Sequence, residues 1–143
     1  MSDSDRYAPG TVVHAAPLFS EHMPMRTAAP QSPEEDGCFV LETEFTSPHL
    51  NRAGSVHGGL VASLLDVAVA GGAGHAVGNL DDWFGITLTL TVNYIAPAQP
   101  GPARAVARAL GGNMTKTMQA HLVDSAGTLV ASAQGTVKVV PRP

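Results

Sequence analysis

One acidic residue stands inside the most apolar stretch of the chain. Asp66 is the only acidic side chain between Phe45 and Leu80, and Leu, Val and Ala surround it. An ionised carboxylate in such a place is costly unless it is paired, hydrogen-bonded or next to a water-filled site. We therefore predict that Asp66 belongs to a functional site. Two structural alternatives remain: stabilisation by the helix dipole, which fades beyond the first turn, or a hydrogen bond at a subunit interface.

The tripeptide His57-Gly58-Gly59 lies just before Asp66 along the chain. Glycines at the start of a helix let a ligand approach the backbone closely, and the free N–H groups and the helix dipole then face that ligand. This arrangement is the chemistry of an oxyanion hole or an anion cradle. The alternative is that the two glycines only make a tight turn.

The distance along the helix between the His-Gly-Gly tripeptide and Asp66 favours a particular oligomeric state. Gly58 and Asp66 are about two helical turns apart, or about 12 Å along the axis. Both cannot act on one small reaction centre within a single chain. If two such helices pack about a two-fold axis, the helix start of one subunit can face Asp66 of the other. We therefore predict two identical sites at a dimer interface.

Other polar residues near this region have simpler interpretations. Asn51 is typical of an Asx turn, although near a helix start it could also fix a water or a substrate carbonyl. Thr87 is typical of a strand. The histidines show no metal-ligand spacing, so we expect no metal site. The sequence also has no G-x-S-x-G elbow, phosphate loop or G-x-G-x-x-G fingerprint, which argues against serine hydrolases, P-loop enzymes and dinucleotide folds.

The elements that must position these residues can be predicted from patterning. The run Gly58 to Val77 is too long and too rich in Ala and Leu for a strand, and it is apolar nearly all round, which indicates a buried helix. A membrane span is excluded by the cost of Asp66 at its centre. The run Gly85 to Ala96 alternates strictly, which predicts a strand with Thr87, Thr89, Thr91 and Asn93 on one face and Ile86, Leu88, Leu90, Val92 and Tyr94 on the core face.

Four further strands complete the expected architecture. They are predicted at Cys38 to Thr46, Ala103 to Leu110, Thr115 to Asp124 and Thr128 to Val140. The order is β-α-β-β-β-β, and short Gly-bearing turns favour antiparallel pairing, with the single helix across one face of the sheet. This is an α+β domain over residues 37–141. Residues 1–36 are predicted to be a Pro-rich extension, partly ordered at most, with a short helical turn around Leu18 to Met23.

Composition narrows the functional classes. Only 14% of the 143 residues are charged, against about 25% in typical soluble domains, which favours an obligate oligomer. Eight basic and twelve acidic residues leave no basic stripe, so we expect no nucleic-acid partner. The single Cys38 fits a reducing compartment, and the N-terminus has no apolar signal region, so we expect a cytoplasmic protein.

The runs N-R-A-G-S-V-H-G-G-L-V-A-S-L-L-D (Asn51 to Asp66) and G-I-T-L-T-L-T-V-N-Y-I-A-P-A (Gly85 to Ala98) resemble the hot-dog-fold acyl-CoA thioesterases. The branch that they resemble more is the phenylacetate-pathway and 4-hydroxybenzoyl-CoA thioesterase type. The resemblance covers Cys38 to about Val140. It implies an antiparallel sheet wrapped around one long central helix, subunits that join their sheets, and dimers that often pair into tetramers.

The resemblance also implies residue roles. The Gly58 N–H would bind the thioester carbonyl, with Asn51 and His57 beside it, and Asp66 of the partner subunit would act as nucleophile or as general base on water. Thr87 would help to hold that water. Gly59 and Ser63 would contact the substrate. The implied reaction is hydrolysis of a small acyl-CoA, with an aromatic acyl group among the candidates, without a cofactor.

Two other functions fit the same residues. One is a hot-dog protein that binds an acyl-thioester or aromatic ligand without hydrolysing it. The other is an acyl-thioester dehydratase or hydratase with His57 as base, which ranks lower because families with that chemistry place their histidine and acid in other motifs. Release of free thiol from a panel of acyl-CoAs separates these functions.

Overall fold

The computed structural model describes residues 9–13 and 21–143. It contains one long helix and one antiparallel sheet in the strand order β1-β2-β3-β5-β6-β7-β4. The elements are β1 (Val12–Val13), β2 (Met25–Thr27), β3 (Phe39–Phe45), α1 (Gly58–Val77), β4 (Trp83–Tyr94), β5 (Gly101–Gly112), β6 (Thr115–Val123) and β7 (Leu129–Pro141).

From β3 onward, the predicted order β-α-β-β-β-β and the bounds of the helix are confirmed. The main core consists of aliphatic and aromatic side chains between α1 and the sheet strands β3 to β7. Leu64, Leu65, Ala68 and Val69 on the helix have no exposed surface. By length and composition α1 could cross a membrane, and half of its most apolar window is buried inside the protein.

The glycines late in α1 allow the sheet to approach the helix backbone closely. A Cβ at Gly71 would lie 2.6 Å from the Phe39 ring, and a Cβ at Gly72 would lie 3.0 Å from the Met118 methyl group. On the strand side, a Cβ at Gly85 would lie 2.4 Å from the carbonyl oxygen of Ala70. Glycine costs helix propensity, but here it permits contact that no larger residue could make.

A β-bulge at Leu88 changes which residues of β4 face the helix, relative to the sequence prediction. Thr87 pairs with Val137 and Thr89 with Thr136, so Leu88 is the extra residue. Beyond the bulge the prediction was right, since Leu90 and Val92 pack against the core. Before it the prediction was wrong: Thr87 lies opposite buried Val137 on the helix side, while Ile86 is 44% exposed and Leu88 55% exposed. Strict alternation in sequence cannot reveal an inserted residue that is itself apolar.

The segment before β3 packs against the sheet. β2 extends it beside β3, and Met23 and Met25 are fully buried in the main core. Residues Ala28 and Cys38 cover the outer face of Val40, which is why Val40 has no exposed surface although it points away from α1. Of the predicted helical turn at Leu18 to Met23, the first half, residues 18–20, lies outside the described residues, and residues 21–22 are helical.

Arg104 on β5 fastens this segment to the outer face of the sheet. Its guanidinium donates to both carboxylate oxygens of Glu35, at 3.1 and 2.5 Å, to Glu42 on β3 at 2.5 Å, and to the carbonyl of Ala29 at 2.6 Å. The hydrogen bonds from Arg104 hold the pKa of the Glu35 carboxyl below its ordinary value, against the opposing effect of burial. Paired charge-assisted bonds of this kind are among the stronger polar contacts in proteins.

Candidate active site

The loop before α1 is organised by Asn51. Its Oδ1 accepts the backbone N–H of Ala53 at 2.9 Å and of Ser55 at 3.3 Å, and its Nδ2 donates to the Ser55 hydroxyl at 3.1 Å. Gly54 occupies the left-handed region, with φ of 81°, which glycine adopts without strain. Asn51 therefore makes an Asx turn, and its amide shapes the loop that leads into the helix.

The start of α1 presents one backbone donor without a partner. His57 is the N-cap residue, and its Nδ1 accepts the N–H of Gly59 at 2.9 Å. No acceptor among the described residues takes the N–H of Gly58. The glycines fit this geometry, since a Cβ at Gly59 would lie 3.0 Å from His57 Nδ1 and a Cβ at Gly58 would lie 3.3 Å from the Tyr94 ring. Gly58 is thus the residue of the tripeptide whose N–H can bind an anionic oxygen.

Tyr94 is a site residue that the sequence argument did not assign. Its hydroxyl donates to the carbonyl oxygen of Gly58 at 2.7 Å, so the Gly58 peptide is held from the strand side. The signal was present in the predicted core face of β4, where Tyr94 is the last member. Tyr94 is 57% exposed, and its ring therefore borders the open side of the helix start.

Asp66 lies on the less buried stripe of α1. It is half-buried and follows Ser63 by almost one turn, and the Ser63 hydroxyl donates to the carbonyl of Gly59 at 2.8 Å. Within the described part of the chain, the Asp66 carboxylate makes no hydrogen bond or ion pair. Two turns separate it from Gly58, so the helix-dipole explanation does not apply. A half-buried carboxylate without a partner is available for chemistry or for a subunit contact.

The bulge in β4 places Thr87 on the helix side of the strand, opposite Val137. Gly85 crosses α1 at Ala70. Asp66 lies one turn before Ala70, about 6 Å along the helix, and Thr87 lies two residues after Gly85, about 7 Å along the strand. Both displacements run toward the helix start, because Tyr94 further along β4 contacts Gly58, so Thr87 and Asp66 come to a similar height along the helix.

The site residues therefore form two groups within one chain. Asn51, His57, Gly58 and Gly59 gather at the helix start, and Asp66 and Thr87 lie near its middle. About 12 Å of helix separates the groups. Within one chain the two groups therefore do not meet at a single small reaction centre.

A large cavity lies elsewhere. A volume of about 950 Å³ opens between the segment before β3 and the outer strands, lined by Arg26, Glu42, Arg104 and Asp124 among others. It contains none of the predicted site residues. No cluster of metal-ligating side chains occurs in the described ranges.

The single cysteine is not a nucleophile candidate. Cys38 is buried on the outer side of the sheet, and burial raises the pKa of its thiol. The thiolate is the reactive form. The nearby His121 also has a pKa lowered by burial, so it supplies little positive charge that could stabilise a thiolate.

The sequence matches the Thioesterase superfamily over residues 53–131, more than half of the chain. The chain belongs to the Thioesterase superfamily. A protein of Archaeoglobus fulgidus described as "Putative esterase" is 33% identical over 106 residues, which are 72% of this chain and 65% of that relative. The match therefore spans slightly less than two thirds of the relative's length.

Solved structures share the fold. The PaaI protein of the Escherichia coli phenylacetic acid degradation operon superposes with a TM-score of 0.71 at 20% identity, over 87% of this chain and 85% of that chain. A Haemophilus influenzae thioesterase gives 0.72 at 14% identity, over 86% and 82%. A Bacillus halodurans protein solved with CoA gives 0.65 at 25% identity, over 73% and 69%. The fold is the hot-dog fold.

Proposed function

We propose that the protein is an acyl-CoA thioesterase that hydrolyses a small acyl-CoA to the free acid and CoA. The observation that carries this proposal is that, among residues 9–13 and 21–143, neither the Gly58 N–H at the start of α1 nor the Asp66 carboxylate on the same helix has a hydrogen-bond partner. Membership of the Thioesterase superfamily supports the reaction type. The structural neighbour solved with CoA supports the substrate class.

The proposed mechanism divides the work between two subunits. The Gly58 N–H of one subunit donates to the thioester carbonyl oxygen and stabilises the negative charge that develops there. Asp66 of the partner subunit takes a proton from water, whose oxygen attacks the carbonyl carbon, with Thr87 helping to hold that water. The C–S bond then breaks, and the CoA sulfur leaves and is protonated. Direct attack by Asp66, through an anhydride, is the second route that these residues allow.

The dimer in this proposal is supported by the edge of the sheet. β4 pairs only with β7, so its other edge is open, and large apolar side chains are exposed along it or next to it: Ile86, Leu88, Tyr94 and Ile95. A long, apolar, exposed edge strand is a template for pairing with another chain. Two copies joined at β4 would bring their α1 helices side by side.

The choice of acyl group in this proposal rests on the resemblance to one branch of the family. The motif resembles the phenylacetate-pathway and 4-hydroxybenzoyl-CoA type, and PaaI is among the structural neighbours. An aromatic acyl group is therefore the first substrate to test. Pairing of two dimers into a tetramer and a cytoplasmic location belong to the same proposal.

A thiol-release assay tests the function. The protein is incubated with a panel of acetyl-, hexanoyl-, benzoyl-, 4-hydroxybenzoyl- and phenylacetyl-CoA, and free CoA is measured with a thiol dye. We expect turnover of at least one aromatic member. Saturable binding of acyl-CoA without release would favour a ligand-binding protein, and loss of the enoyl chromophore of crotonyl-CoA without thiol release would favour a hydratase.

A further inference from the structure

We propose that His49 is a positioning residue for the Gly58 donor, a role that rests on the proposed function. His49 lies outside the predicted site residues, two residues before Asn51. It is 7% exposed, although it sits in a short 3-10 turn (Ser47–His49) near the surface. A buried imidazole whose two ring nitrogens are both hydrogen-bonded holds the surrounding loop in one conformation.

Both ring nitrogens of His49 have partners of known polarity. The backbone N–H of Thr46 donates to Nδ1 at 2.9 Å, and Nε2 lies 2.5 Å from the carbonyl oxygen of His22. An N–H can only donate and a carbonyl can only accept, so Nδ1 is the acceptor and Nε2 carries the proton. The Phe45 ring meets the imidazole edge-on at 6.0 Å. These contacts join the segment before β2 to the loop that follows β3.

The backbone of His49 is hydrogen-bonded to the helix start, so the position of His49 also affects the position of His57. Its carbonyl oxygen accepts the N–H of His57 at 2.9 Å. His57 in turn caps Gly59 through Nδ1. The ring of His49 therefore fixes a peptide that fixes the N-cap residue, and the N-cap residue determines which N–H stays free at Gly58. A misplacement of the order of 1 Å at a reacting centre can cost about 100-fold in rate.

Three substitutions separate the two ring contacts. His49→Ala removes both. His49→Asn places an amide oxygen near the position of Nδ1 and keeps the acceptor for Thr46, whereas His49→Gln places an amide nitrogen near Nε2 and keeps the donor to His22. The matched control is His22→Ala, because only the main-chain carbonyl of His22 takes part and its side chain is exposed.

Two measurements on the full chain test the role. The first is kcat and KM on the best acyl-CoA of the panel. We expect kcat of His49→Ala to fall about 10-fold with KM within about two-fold, since the donor is displaced while the CoA-binding surface is untouched. The Asn and Gln variants should fall between Ala and wild type. The second is backbone amide exchange, in which the Gly59 N–H should exchange faster in His49→Ala while the β6 amides keep wild-type rates.

Wild-type kcat with unchanged Gly59 exchange in the His49 variants would overturn the proposal, and so would an equal loss of kcat in His22→Ala. If His49→Ala does not fold, the Asn and Gln variants are compared in the same way. If the wild-type protein releases no thiol, the proposed function fails separately, and Gly59 exchange alone decides whether His49 positions the helix start.

Discussion

Asp66 and Gly58 are distinguished at the residue scale by what they lack. Each offers an unused polar group, a carboxylate and an N–H, in a chain whose other buried polar groups are largely satisfied. Asp124 shows the contrast, since it is 6% exposed but accepts N–H groups from Gln99, Ala126 and Thr128. A buried carboxylate alone therefore does not mark a site here, and the missing partners of Asp66 are the discriminating feature.

Asp66→Asn tests this assignment. The amide keeps the size of the side chain but loses the basic oxygen, so we expect turnover of the best acyl-CoA to fall at least about 100-fold while assembly persists. The measurement is steady-state thiol release together with sedimentation. Asp81→Asn is the matched control, because it makes the same chemical change at an exposed position outside the candidate site residues. A fully assembled Asp66→Asn protein with wild-type hydrolysis would refute the role.

Much of the site could be predicted because its residues are close in sequence. The run from Asn51 to Asp66 supplies both halves, and the length of the helix already implied that one chain cannot complete a site. His49 and Tyr94 could not be assigned in this way, since their roles depend on contacts with His22 and Gly58 across 27 and 36 residues. Local pattern carries no information about such pairs.

At the scale of elements, β4 is where pattern and structure differ. The prediction for Leu90 still holds, since it packs against the core on the helix side. We expect Leu90→Ala to lower the free energy of unfolding by about 2–5 kcal/mol. Thr91→Ala, on the opposite exposed face, should change it by less than about 1 kcal/mol. Chemical denaturation measures both, and similar losses would mean that the strand register beyond the bulge is wrong.

The Arg104 contact predicts a pH-dependent attachment of the segment before β3. Because the pKa of Glu35 is lowered in the folded protein, its contribution to stability is present above the ordinary Glu pKa, near about 4.3, and is lost as the pH falls through the folded value. Glu35→Gln should therefore cost about 1–3 kcal/mol at pH 7, and this cost should shrink progressively as the pH falls below the ordinary Glu pKa and through the lower folded pKa. Denaturation across pH, with exposed Glu34→Gln as control, measures this, and a pH-independent loss would contradict the ionic explanation.

At the scale of the whole molecule, the separation of the two half-sites makes subunit sharing testable. Co-expression of an Asp66→Asn chain with a Gly58→Val chain yields heterodimers in which one composite site holds both lesions and the other holds none. We expect about half of the wild-type activity per heterodimer, although each homodimer is inactive. The control pairs Asp66→Asn with the double variant and should stay inactive. No recovery in the first mixture would place each complete site within one chain.

The low charge content and the apolar helix predict an oligomer. The open edge of β4 is the surface through which we expect the subunits to associate. Sedimentation of Leu88→Glu tests it, since a charge on the exposed edge should shift the protein toward monomer and reduce hydrolysis in parallel. Lys138→Glu, on the neighbouring exposed position of β7, is a charge-changing control away from that edge. A stable and active Leu88→Glu monomer would exclude the shared site.

The bulge in β4 also has a consequence for insertions and deletions. Thr87 pairs with Val137 and Thr89 pairs with Thr136, so the two residues that flank Leu88 pair with adjacent residues of β7. Removal of Leu88 alone would leave every other pair in place and keep Thr87 and Leu90 on their present faces. Removal of any other residue in the strand would turn all positions between it and Leu88 to the opposite face. Among sequences of this superfamily, a one-residue gap in the strand after the helix is therefore compatible with the same site only at this position.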